Sequence, residues 1–169
     1  MRASVFGAVG TCGQRCTSTR RLIVHNDIYE SFTSKLKKSY SQLRIGSPLD
    51  GNNHMGPLID TDAVGKYQQA IIKANDQGAT WLVEGGVLEE KKFGSACYVK
   101  PAVAIIDHNA PIVHEETFAP IVYIIKYEGS IEKAIAIQNE VKQGLSSSIM
   151  SLNIEAVSYT HLRAHETRI

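Results

Sequence analysis

The sequence predicts an α/β fold: a parallel sheet covered by helices on both faces. Three observations carry that expectation. Strand-like and helix-like segments alternate along the 169 residues. The strand-like segments are continuous apolar runs, as in strands buried on both sides, rather than runs alternating with polar residues. At 43% hydrophobic content the chain is also long enough to bury one core.

The elements follow in order. Residues 21–25 form a short leucine and β-branched run and read as a buried strand. Asp27 is placed to cap a helix over residues 28–43, where Phe32, Leu36, Tyr40 and Leu43 recur at helical spacing and Lys35, Lys37 and Lys38 face solvent. Residues 48–57 are rich in Gly, Asn and Pro and read as a loop. Thr61 is the expected cap of a second helix, with Val64, Tyr67, Ile71 and Ala74 as its apolar stripe and Gly78 as its stop. Residues 79–84 and 98–106 read as strands, with Pro101 pushing part of the second toward an edge. The run 121–127, nearly all β-branched or aromatic, is the strongest strand. A helix over 130–139 and a final strand over 145–150 complete the pattern.

Composition excludes several classes. A formal net charge of +1 gives no basic field for nucleic acid or a membrane surface. No apolar run approaches the roughly 18 residues of a membrane span, and no secretory signal opens the chain. Three cysteines do not read as a disulfide framework. The expected compartment is therefore reducing and cytoplasmic, with a mitochondrial location left open.

The residue that stands out is Cys16, in the run Gly13-Gln14-Arg15-Cys16-Thr17. Glycine lets the backbone turn close to a ligand, and a neighbouring guanidinium favours the nucleophilic thiolate. A buried, inert thiol is the alternative. The glycines at 7, 10 and 13 have G-x-x-G-x-x-G spacing, which is not the dinucleotide fingerprint. His114-Glu115 begins a zinc-hydrolase motif, but position 118 is Phe where a second His is required. His161 and His165 have i, i+4 spacing without a third ligand, so no metal site is expected.

Four blocks carry a resemblance. The first runs from Phe6-Gly7 through Gly13-Gln14-Arg15-Cys16-Thr17 to Arg20-Arg21-Leu22-Ile23-Val24-His25. The second is Gly56-Pro57-Leu58-Ile59. The third is His114-Glu115-Glu116-Thr117-Phe118-Ala119-Pro120. The fourth runs from Asn139-Glu140 through Gly144-Leu145 to Ser146-Ser147-Ser148-Ile149. In order and spacing they resemble the later, catalytic part of the NAD-dependent aldehyde dehydrogenase superfamily, and most of all its antiquitin branch of α-aminoadipic semialdehyde dehydrogenases. The resemblance runs from about Phe6 to about Ala156, and implies a partial catalytic domain over residues 1–156. Residues 157–169 lack it, and look like the translation of a sequencing adapter joined to a reading frame.

The resemblance implies an oxidoreductase that converts an aldehyde, specifically a semialdehyde, to a carboxylate with NAD as cofactor. Cys16 matches the nucleophile that adds to the carbonyl and carries the thiohemiacetal and thioester. Glu116 matches the carboxylate that accepts hydrogen bonds from both nicotinamide-ribose hydroxyls, which suits an ionised acceptor. Phe118 matches the ring that packs near the nicotinamide. Read without the family, Glu115-Glu116 is a solvated acidic pair. Arg15 has two open readings, a partner for a substrate carboxylate or a structural ion pair. The family's oxyanion asparagine and deacylating glutamate fall upstream of the matched segment, so the chain alone is expected not to turn over. The partner is a small-molecule aldehyde, and the whole family enzyme is expected to be a homo-oligomer. Two rivals remain: an interaction or thiol-redox module using Cys16 and Cys12, and a cysteine hydrolase pairing Cys16 with a histidine, His25 being nearest in sequence.

Overall fold

The computed structural model describes residues 1–152; the segment 157–169, with His161 and His165, lies outside the described residues. Five helices and six strands occur among them: α1 (Arg2–Val9), β1 (Arg21–His25), α2 (Asn26–Tyr40), α3 (Thr61–Asp76), β2 (Thr80–Val83), β3 (Gly86–Val87), α4 (Glu90–Phe93), β4 (Val99–Lys100), β5 (Ala102–Ile105), β6 (Ile121–Tyr127) and α5 (Ile131–Asn139). Two 3-10 turns, Gly10–Gly13 and Pro111–His114, precede the segments that lead into β1 and β6.

The main sheet has the order β1-β6-β5-β2. β6 pairs in parallel with β1 on one side and β5 on the other, in the registers Arg21↔Tyr123 and Ala102↔Ile121. Successive residues of a strand point to opposite faces. All five residues from Ile121 to Ile125 are buried, so both faces of the central strand are covered. α2 packs against β1, β6 and β2, while α5 lies beside β1.

The sheet is not wholly parallel, however: β2 runs antiparallel to β5 at one edge. A parallel neighbour needs a crossover, usually a helix laid over the sheet. The chain instead returns from β2 through the small β3/β4 ladder and reverses direction. Pro101 divides the predicted 98–106 strand. Lacking an N–H, it ends the ladder of β4 with β3, and the chain enters the main sheet as β5.

Local details also differ from expectation. The side chain of His25, not of Asp27, caps α2 by accepting the Asp27 N–H at 3.3 Å. Asp60, not Thr61, caps α3 by accepting the Ala63 N–H at 2.7 Å. In both cases the capping group stands one or more residues earlier, where the backbone is still extended. Gly78 ends α3 as expected, in the left-handed conformation at φ 85°. Residues 145–150 form no strand. A strand needs a partner for its ladder, and this run finds none among the described residues, leaving Leu145 and Met150 exposed.

Tyr67 ties α3 to the small β3/β4 sheet. Its hydroxyl donates to the Lys100 carbonyl at 2.5 Å and accepts the Gly86 N–H at 2.8 Å. Burial pushes this phenol up to about 12, so it remains a donor through the neutral range. A side chain at Gly85 would fall on that hydroxyl. Tyr67→Phe leaves two backbone groups without their partner and is expected to cost about 1–3 kcal/mol in urea unfolding at neutral pH; an unchanged midpoint would remove the hydroxyl from the account.

Candidate active site

Two loops converge at one end of the sheet. The first, residues 14–20, feeds β1; the second, residues 115–120, feeds β6. Because β1 and β6 are adjacent and parallel, their incoming loops emerge side by side at the amino ends of the strands. Ligands of open α/β sheets usually sit at the carboxyl ends. This arrangement departs from that rule and needs its own means of holding the loops together.

Backbone packing supplies the first. Thr11, Cys12 and Gly13 are three successive residues with positive φ, at 55°, 54° and 68°. The resulting tight bend presses Gly13 against the other loop. A Cβ built there would fall on the Ala119 carbonyl, 2.5 Å from its carbon, and 2.8 Å from the Pro120 nitrogen. Only glycine fits that approach. Cys12, 1% exposed, is packed inside the bend, and burial pushes its thiol up to about 12.

Side chains supply the rest. The Gln14 side-chain oxygen accepts the Ile59 N–H at 2.9 Å, and its amide donates to the Pro57 carbonyl at 3.4 Å. The Gly56-Pro57-Leu58-Ile59 block is thus fastened to the Cys16 loop. Arg20 donates to the Ala119 carbonyl at 3.0 Å and to the Arg15 carbonyl at 3.3 Å, and its guanidinium lies 5.1 Å from the centre of the Phe118 ring. Burial pulls the Arg20 pKa down from its ordinary value, while the negative charge of Glu116 pushes it back up. The Lys73 ammonium pairs with Glu115 at 2.7 Å and ties the second loop to α3.

Cys16 sits on an exposed turn. The Ser18 N–H donates to the Arg15 carbonyl at 3.0 Å, and the Arg15 N–H donates to the Ser18 hydroxyl at 3.0 Å, closing the turn around it. Glu116 and Phe118 are exposed on the neighbouring loop, Phe118 to 44%. Arg15 is exposed too; its Nε donates to the Thr11 hydroxyl at 2.8 Å and its guanidinium lies over the Phe6 ring. The residues singled out from the sequence therefore share one surface region. Gln14, Arg20 and Gly13 hold it together, and local sequence carried no sign of this, because each has a partner 43 or more residues away.

The rival chemistries find less support. Both ring nitrogens of His25 are engaged, Nδ1 by the Asp27 N–H and Nε2 at 3.1 Å from the Gly129 carbonyl, so it serves the strand end and the helix start. The high pKa and burial of Cys12 make it a poor thiol-exchange partner for Cys16. His114 bonds the His108 carbonyl at 2.7 Å, and no group of three or more metal-ligating side chains occurs among the described residues. No helix among them is long and apolar enough to cross a membrane. With limiting iodoacetamide at neutral pH, Cys16 is expected to be alkylated before Cys97, and Cys12 only on unfolding; peptide mapping that finds Cys97 or Cys12 first would contradict the placement of the thiols.

The chain is similar to known proteins in sequence and in fold. The sequence profile described as the aldehyde dehydrogenase family matches residues 1–165, a span that takes in part of the 157–169 segment. An aldehyde dehydrogenase family 7 member A1 homologue of Caenorhabditis elegans is 48% identical over 158 residues, covering 92% of this chain and 29% of the relative. The α-aminoadipic semialdehyde dehydrogenase of Rattus norvegicus is 43% identical over 153 residues, covering 90% and 28%. Betaine aldehyde dehydrogenase of Staphylococcus aureus, solved in complex with NAD+, superposes with a TM-score of 0.90 at 26% identity, over 96% of this chain and 32% of that one. The chain spans less than a third of the length of these relatives. On the profile match and these similarities together, the chain belongs to the aldehyde dehydrogenase family.

Proposed function

We propose that the protein containing this chain oxidises a semialdehyde to the carboxylate with NAD, using Cys16 as nucleophile. The observation that carries this reading is the fastening of the exposed Cys16 turn to the loop bearing Glu116 and Phe118, through Gly13 on Ala119 and through Arg20.

In this reading the Cys16 thiolate adds to the aldehyde carbon, a C–S bond forms, and the carbonyl π pair moves to oxygen. The turn around Cys16, closed at Arg15 and Ser18, sets the thiol's direction of attack. Collapse of the thiohemiacetal oxyanion reforms the carbonyl and expels the aldehyde hydrogen as hydride, leaving a thioester on Cys16. Attack of one water on the thioester then releases the carboxylate and returns the thiol. The exposed carboxylate of Glu116 and the exposed face of Phe118 fit the ribose diol and nicotinamide of NAD, as charged acceptor and apolar wall. NAD, when bound, supplies the hydride acceptor. The position of Arg15, exposed and next to the nucleophile, supports a role in pairing with a carboxylate at the far end of the substrate.

The test uses the complete reading frame that contains this chain. NADH formation from a semialdehyde is expected, and Cys16→Ser should abolish it; formation undiminished by Cys16→Ser would overturn the proposal. In single turnovers Glu116→Gln should slow hydride transfer by about tenfold or more, the worth of one charge-assisted hydrogen bond, without shifting the melting temperature. Arg15→Ala should slow a carboxylate-bearing semialdehyde about tenfold more than a neutral aldehyde. Equal losses on both would assign Arg15 to its contacts with Thr11 and Phe6.

A further inference from the structure

We infer that Arg20 is a positioning residue: its guanidinium holds the nucleophile turn and the Glu116–Phe118 loop in register, so that thiol and ribose-binding carboxylate keep one geometry. The inference rests on the proposed roles of Cys16 and Glu116.

Arg20 is itself fixed at both ends. Its main-chain carbonyl accepts the Tyr123 N–H at 2.9 Å, which locks its backbone to β6 just beyond the second loop. Its side chain then reaches back over that loop. One terminal nitrogen donates to the Ala119 carbonyl and the other to the Arg15 carbonyl, next to Cys16 in the chain. The same planar group covers the Phe118 ring. Its hydrogen bonds go to main-chain carbonyls, and the negative charge of Glu116 favours its charged form.

A rigid fork is what this task needs. A guanidinium presents donors in fixed directions and stacks on a ring face, whereas a lysine ammonium is one compact point on a flexible stem and cannot span the two carbonyls in the same way. Arg20 is also half-buried, where bonds from a charged donor are less screened than at an open surface. The neighbouring Arg21 is committed elsewhere. It donates to the Ile137 and Gln138 carbonyls at the end of α5, at 3.0 and 2.9 Å, and holds that helix to the sheet.

Hydrogen exchange on the 169-residue chain tests the inference with no aldehyde or NAD present, so its outcome is separate from that of the proposed activity. In Arg20→Lys and Arg20→Gln, peptides covering residues 14–19 and 116–121 should both exchange about tenfold faster, the order expected when bonds from a charged group are lost. Peptides of α3 and the rest of β6 should be unchanged. In the complete protein, Arg20→Lys should raise KM for NAD, and the lysine charge should not restore it. Unchanged exchange, faster exchange in one loop only, or restoration of both loops by lysine would overturn the inference. A uniform rise across the chain, or failure of both variants to fold, would assign Arg20 to general stability and overturn it equally.

Discussion

The close approach of Gly13 to the Ala119 carbonyl is the constraint on which the site depends. Two loops far apart in sequence meet there backbone to backbone, at a distance no side chain could share. The bend that delivers Gly13 also places Thr11 and Cys12 in the left-handed region, at a cost of about 1–2 kcal/mol per residue. Such strain persists only where surrounding structure over-determines it. Here the buried Cys12, the Gln14 bonds to Pro57 and Ile59, and the Arg20 fork supply that determination.

The sheet makes the approach possible. β1 and β6 are parallel neighbours with Arg21 opposite Tyr123, so the segments entering them necessarily arrive together. The central strand is buried on both faces and cannot shift register without exposing its isoleucines or disturbing both flanking strands. Rigidity in β6 is thereby passed to the loop that precedes it. The Lys73–Glu115 pair adds an anchor to α3, worth little on its own because it lies at the surface, but directed at the same loop.

Much of this architecture was legible in the sequence, and the failures have physical causes. β6 announced itself by seven residues of β-branched and aromatic character with one lysine, and Gly78 by its place after a periodic helix. Pro101 marked a break that the structure places between two ladders. The antiparallel direction of β2 could not be read, because direction is set by the connection rather than by the strand's composition. The caps His25 and Asp60 were missed because capping depends on where extended backbone ends, which Asp27 and Thr61, one or more residues inside, do not report. The 145–150 run has a strand's composition but no ladder partner among the described residues. Within the candidate site, Cys16, Glu116 and Phe118 could be singled out from motif resemblance. The groups that hold them, Gly13 and Arg20, both meet Ala119, about a hundred residues away, and no local pattern encodes that.

One substitution tests the central claim most directly. Gly13→Ala adds a single methyl where the two loops touch, and leaves every strand and helix of the sheet chemically intact. Urea unfolding combined with Cys16 alkylation reads both consequences. The left-handed backbone and the collision with Ala119 together predict a loss of about 2 kcal/mol or more, with far-UV circular dichroism retained and the Cys16 alkylation rate altered. Unchanged stability and an unchanged alkylation rate would mean that the loops do not meet at Gly13, and the account of the site would fail.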